Sequence, residues 1–178
     1  MAESKIRTFD LVKAALCTAV IAVCAQISIP MPFGVPITLQ TFAVALCGFL
    51  LAPKFAAAAV TAYLMLGAVG VPVFSSFTGG LTALVGKTGG FLWGFLVFAV
   101  LASLSKRRLP ALTLGLIGLF IMHLAGVAQY MILTHLGFIE AALLVSVKFL
   151  PKDIVSVILA LMLAVRLRST LKLHKFEE

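Results

Sequence analysis

Apolar runs long enough to span a bilayer, or nearly so, follow one another along the chain, broken by short polar or proline-bearing interruptions. A helix needs about 20 apolar residues to cross the hydrocarbon core, with a range of about 17–25. The pattern predicts six such segments, at about 9–29, 37–52, 55–70, 89–104, 111–136 and 153–168. Several are short, which fits helices extended by polar ends or set where a bilayer thins. The breaks are IPMPFGVP after the first, Pro53-Lys54 after the second, SKRRLP after the fourth and PKD at the start of the sixth. Residues 137–151 carry Glu140 and Lys148 and read as an interfacial helix or loop.

Composition extends this picture to the whole chain. Of its 178 residues 62% are hydrophobic and 11% charged, and the mean hydropathy is +1.19. Soluble domains are about 45–50% apolar and about 25% charged. The excess has no gap, so the expectation is one all-α integral membrane domain over residues 1–178, with no soluble appendage. Cys17, Cys24 and Cys47 lie inside apolar segments without metal-type spacing, and read as small buried hydrophobes. Bulky Val23 before Cys24 argues against lipoprotein cleavage.

The net charge of +8 changes the reading from span count to orientation. With the N-terminus cytoplasmic, the inside holds Lys5, Arg7, Lys13, Lys54, Lys106, Arg107, Arg108, Arg166, Arg168, Lys172 and Lys175. The outside holds Lys87, Lys148 and Lys152. Five or seven spans would put one terminal cluster on the wrong side, so six spans with both termini inside follow from the positive-inside rule. On this reading the basic charge is topological, and nucleic acid is not a partner.

The outer side then gathers Thr38, Gln40, Thr41, Lys87, Thr88, Lys152 and Asp153. Asp153 suits a helix N-terminus as a cap, and it equally suits a ligand as a hydrogen-bond acceptor. Lys87 reads as a snorkelling interface anchor or as the counter-charge of an anionic ligand group. Gln40, in TLQTF, needs partners for its amide from another helix or from a ligand. Ala15 and Ala19 form a small-xxx-small pair that suits close helix packing, within the chain or against a partner. On the fifth segment Gln129 and Tyr130 lie in the outer half, within reach of a pocket, whereas His123 reads as a packing residue.

Residues 70–95, GVPVFSSFTGGLTALVGKTGGFLWGF, are too long for a bare turn. Gly86-Lys87-Thr88 suggests a phosphate loop, but that motif needs glycine where Leu81 stands. The chain therefore shows no energy source of its own. It also shows no Ser-His-Asp, HExxH or Cys-His constellation, so a membrane enzyme lacks its parts.

These residues carry a resemblance. PITLQTF, the run GVPVF…GG…L.GKTGGFLWGF and LPKDIVSVILA resemble the BioY family of biotin-uptake membrane proteins over essentially the whole chain. These are substrate-binding (S) components of energy-coupling factor (ECF) transporters. Lys87 stands where many members have Pro, Lys152 where a Gly is expected, and Ser156 where a Lys is expected one turn after Asp153. The chain has no Asn, which some relatives use near substrate. The resemblance implies a cell-membrane protein that binds biotin from outside, then reorients so that the site faces the cytoplasm. A transmembrane coupling protein and two ABC-type ATPases drive that cycle, with biotin as transported ligand and no cofactor. It implies that Ala15 and Ala19 dock the coupling protein. Gln40 and Asp153 would meet the ureido group, while Phe74, Phe77, Trp93 and Tyr130 cover the apolar body. Lys87 would meet the carboxylate, and Lys87 or Lys152 would supply the cation lost at Ser156. Gly80 and Thr88 would allow close backbone approach. An S component for another small vitamin, or a small membrane enzyme, are the alternatives; the single Trp argues against a flatter aromatic vitamin.

Overall fold

The computed structural model describes residues 8–170. Lys5, Arg7, Lys172 and Lys175, used above for orientation, lie outside that range. The longer helices among the described residues are α1 Thr8–Gln26, α2 Gln40–Leu50, α3 Pro53–Ala68, α5 Gly89–Ser103, α6 Arg108–Thr134 and α8 Leu150–Thr170. Two short helices, α4 Leu81–Val85 and α7 Phe138–Ala142, lie in the connections. Helix starts follow local chemistry. Pro53 opens α3 with its ring preset for a first turn. Asp153 stands in the first turn of α8, opposite the positive end of the helix dipole.

The fold is not purely helical. Ser28–Ile29 (β1) pairs antiparallel with Ile37–Thr38 (β2), with Ser28 opposite Thr38. The intervening PMPFGVP, residues 30–36, has a proline at each end and Gly34 at φ 83. It therefore folds back as a ribbon where the sequence suggested a plain linker. The long connection after α3 is also structured: a 3-10 turn at Ser75–Phe77 precedes α4. The region 137–151 is helical too, running from α7 through a π-helical turn at Leu143–Val147. Its Ala141, Val145 and Phe149 are buried against the bundle.

Among the described residues, Thr8–Gln26 and Arg108–Thr134 are the two helices both long and apolar enough to cross a membrane unaided. The 11 residues of α2 rise about 16 Å at 1.5 Å each, roughly half a hydrocarbon core. The remaining height above α2 is filled by β2 and the loop before it, and this is where a cavity opens.

Glycine lets α5 and α6 touch backbone to backbone. A β-carbon on Gly90 would fall 2.2 Å from the Ala125 carbonyl oxygen, and one on Gly126 would fall 2.4 Å from the Phe91 ring. The opposite end of the bundle is basic. The Lys106 ammonium has its pKa lowered, first by desolvation and then by the like charges of Arg168 and Lys13. The buried Arg168 guanidinium donates to the Phe49 carbonyl, closing the end of α2. Around the bundle, large apolar side chains face outward on several helices, among them Leu16, Val97, Phe120, Leu124, Ile158 and Met162.

Because the atom opposing Gly90 is backbone and cannot rotate away, Gly90→Val is expected to lower thermal stability by about 1–3 kcal/mol. Thermal unfolding of the detergent-purified variant, followed by fluorescence, measures this; an unchanged melting temperature would contradict the packing described.

Candidate ligand site at the upper end of the bundle

Two connected spaces occupy the end opposite the basic cluster. The inner one is a partly open cavity of about 50 Å³. Its polar wall is Gln40, Thr41, Lys152 and Asp153, and its apolar wall includes Phe74, Phe91, Phe95, Met122 and Phe149. Val35, Pro36 and Thr38 of the ribbon close it above. The outer one is an open cleft of about 520 Å³ between the ribbon loop and residues 75–88, with Lys87 on its wall. Pro36, Ser75 and Thr88 line both, so the cleft leads to the cavity.

Asp153 is the electrostatic centre. Its residue is only 4% exposed, and an isolated carboxylate at such depth costs several kcal/mol. Compensation comes from four sources, of which the Thr41 side chain, hydrogen-bonded to the carboxylate, is one. Lys152 Nζ lies 2.5 Å from Oδ1 and also donates to the Thr38 carbonyl at 2.8 Å. His123 Nε2 lies 3.3 Å from Oδ2. The α8 N-terminus contributes its dipole. Ser156, where a family Lys was expected, is buried and donates to the Lys152 carbonyl at 2.9 Å, so the cation at Asp153 is Lys152.

Gln40 begins α2 beneath the ribbon. Its Nε2 donates to the Tyr63 hydroxyl at 2.6 Å, and that hydroxyl donates to the Val73 carbonyl at 3.2 Å. A tyrosine hydroxyl has one proton, so the bond to Val73 obliges it to accept from Gln40 and fixes which way the amide faces. Gln40 also lines the cavity. Phe74 is buried, meets Tyr63 edge to face at 5.4 Å, and covers Gly67 so closely that a β-carbon there would overlap its ring.

The sequence-predicted site divides. Gln40, Phe74, Thr88, Lys152 and Asp153 meet at the inner cavity. Lys87 stands on the outer cleft, its chain against Gly34. The other four lie elsewhere. Phe77 is 71% exposed, held in the left-handed region at φ 56 while its N–H donates to Gln26 Oε1. Trp93 is half-exposed on the outside of α5, donating to the Leu84 carbonyl. Tyr130 is buried but faces the ribbon, donating to the Phe33 carbonyl at 3.2 Å. Gly80, at φ 91, turns the chain into α4 and donates its N–H to the Gly67 carbonyl. In each case helix phase or a loop reversal, invisible in one dimension, turned the residue away.

Other residues come to the site without having been expected there. Phe91, Phe95, Met122 and Phe149 line the cavity, and His123 lies behind Asp153. The aromatic content of LPKD's preceding residue and of GGFLWGF was visible, but which face turned inward was not. Gln26 and Gln129 act as clamps. Gln26 donates to the Val73 and Phe74 carbonyls, and Gln129 donates to those of Leu84 and Gly86. Ala15 and Ala19 face outward on α1 beside exposed Leu11, Val12 and Leu16, away from the bundle interior.

Comparison with known proteins follows this geometry. The family model described as "BioY family" matches residues 1–173. The biotin transporter BioY of Thermotoga maritima is 38% identical over 166 residues, 89% of this chain and 95% of the relative. The probable biotin transporter BioY of Pyrococcus horikoshii is 38% identical over 154 residues, 86% of this chain and 93% of the relative. A crystal structure of the S-component for biotin from an ECF-type ABC transporter matches with a TM-score of 0.87 and 25% identity, over 99% of this chain and 97% of that one. With a family model covering nearly its whole length and relatives of this identity and coverage, the chain belongs to the BioY family.

Proposed function

We propose that this protein is the biotin-binding S component of an ECF-type transporter, a carrier subunit and not an enzyme. It would lie in the cell membrane with six spans and both termini cytoplasmic. The observation that carries the reading is the match to a biotin S component over 99% of the chain, since the described cavity lies in that shared fold. The outward apolar surface supports the membrane setting. Monomeric soluble proteins rarely expose apolar patches beyond a few hundred Å², whereas here they encircle the bundle. The separation of Lys87, Lys148 and Lys152 from the basic end supports the orientation.

The chemistry of biotin fits the two spaces. Its ureido group donates two N–H and accepts at one oxygen. Asp153 would accept an N–H, and the Gln40 amide can both accept and donate. Phe74, Phe91, Phe95 and Phe149 would cover the sulfur ring. The carboxylate tail would lie in the outer cleft, where Lys87 supplies a cation. Small-molecule pockets measure about 300–1,000 Å³, far above the inner cavity alone. Binding therefore requires the ribbon loop, with Val35 and Pro36, to lift as the ligand enters. The exposed Ala15–Ala19 face of α1 would dock a transmembrane coupling protein, with two ABC-type ATPases driving reorientation.

Calorimetry on the purified protein with biotin, riboflavin and thiamine tests the assignment. Biotin is expected to bind below the micromolar range without competition from the other two; weaker binding would sink it. Asp153→Asn and Gln40→Leu should each weaken binding about tenfold or more, the worth of a hydrogen bond involving a charged or buried group. Lys87→Ala should weaken binding of biotin but not of its methyl ester. If Lys87→Ala and Lys152→Ala both left biotin affinity unchanged, the cation assignment would be wrong. For topology, a membrane-impermeant maleimide should label Lys87→Cys in intact cells, but Arg108→Cys only after permeabilisation. The opposite pattern would invert the orientation.

A further inference from the structure

His123 is buried at mid-depth on α6 and takes no direct part in the cavity wall, although its neighbour Met122 and its ring partner Phe91 do. Its imidazole is held on three sides. Phe91 meets it edge to face at 5.8 Å. Ser146 Oγ, in the π-helical turn, lies 3.0 Å from Nδ1. Asp153 Oδ2 lies 3.3 Å from Nε2. A carboxylate only accepts, so a lone pair on Nε2 would repel it; the proton belongs on Nε2, and Nδ1 accepts from the Ser146 hydroxyl. Ser146 thus sets the tautomer that Asp153 needs.

A second observation points the same way. His123 Nε2 and Asp153 Oδ1 are both buried, and neither has a well-aligned hydrogen bond. Their neighbours at 3.3 and 2.5 Å are close contacts of poor angle. Buried polar atoms are ordinarily satisfied. An under-satisfied pair beside a cavity is a group waiting to be ordered by something that enters it.

We propose that His123 is the positioning residue of this site: anchored by Ser146, it holds the plane of the Asp153 carboxylate so that the ligand's N–H meets a preset acceptor. A carboxylate offers about four lone-pair positions. Lys152 approaches one oxygen and His123 the other, Thr41 hydrogen-bonds the same carboxylate, and together they restrict rotation about the side-chain bond. A ligand N–H on Asp153 draws charge from the carboxylate that His123 shares, so the surroundings of His123 Nε2 change on binding. This inference rests on the biotin-binding reading above.

The test compares His123→Leu, which removes the donor, with His123→Gln, which keeps an N–H donor. Biotin affinity is read by calorimetry, with the melting temperature of the empty protein as a folding check. His123→Leu should weaken biotin binding about tenfold, and His123→Gln should recover most of that. Equal losses in the two variants, or no loss in either, would overturn the proposal. Wild-type protein carrying ¹⁵N-labelled histidine gives a reading that needs no variant to fold. The His123 Nε2 resonance should move on saturation with biotin, and a resonance that stays put would overturn the proposal. Wild-type protein that fails to bind biotin defeats the functional reading itself; wild-type binding with an indifferent His123 defeats only this role.

Discussion

A carboxylate buried in a bundle with an apolar exterior must be compensated where it stands, because neither lipid nor bulk water can do it. Asp153 imposes that requirement on the upper half of this protein. Lys152 approaches one oxygen and reaches on to the Thr38 carbonyl, tying α8 to the ribbon. His123 approaches the other from α6, with Ser146 behind it. Four separate parts of the chain therefore converge on one negative charge. The Lys152 side chain is 36% exposed, so solvent screens its half of the pair, but the buried carboxylate still constrains how these segments sit. The same charge is the best acceptor the cavity has.

Close approach is the second constraint. The glycines of α5 and α6 remove the side chains that would hold the helices apart, and Phe91 fills the space against Gly126. That contact also aims Phe91 at the cavity and at His123. The long connection between α3 and α5 is secured differently, by half-buried amides. Gln26 and Gln129 reach from α1 and α6 to its backbone carbonyls. Such bonds let irregular backbone exist at the edge of a membrane bundle, where unsatisfied carbonyls would be costly. The result is a wall made of loop, held as firmly as one made of helix.

The two spaces suit an elongated ligand with a polar ring at one end and an anion at the other. The inner cavity is small and closed by the ribbon, whereas the cleft is open and bears Lys87. Thr38 belongs to the ribbon and is bonded by Lys152, which also pairs with Asp153. Ligand chemistry at the carboxylate and the position of the ribbon are thus joined through one ammonium. Departures from the family pattern become intelligible in these terms. The cation that the sequence loses at Ser156 is present at Lys152, one residue before Asp153 and one turn of helix before Ser156.

Helix-forming runs, their approximate boundaries and the split of basic charge between the two ends were legible along the chain. Run length, proline position and charge depend on neighbours in sequence. Family membership was legible for the same reason, in PITLQTF and GKTGGFLWGF. The ribbon at 28–38 was not, since two-residue strands carry no periodicity. Nor was the choice among aromatics. Phe91 and Trp93 are two residues apart on one helix, so they point about 200° apart, and only packing against α6 decides which faces the cavity. His123 looked like a packing residue because its partners, Ser146 and Asp153, are 23 and 30 positions away. By itself the sequence determined which segments are helical and which groups are charged, because those are properties of local composition. The tertiary structure decided which of those groups meet, because contact distance depends on helix phase and on where the loops return.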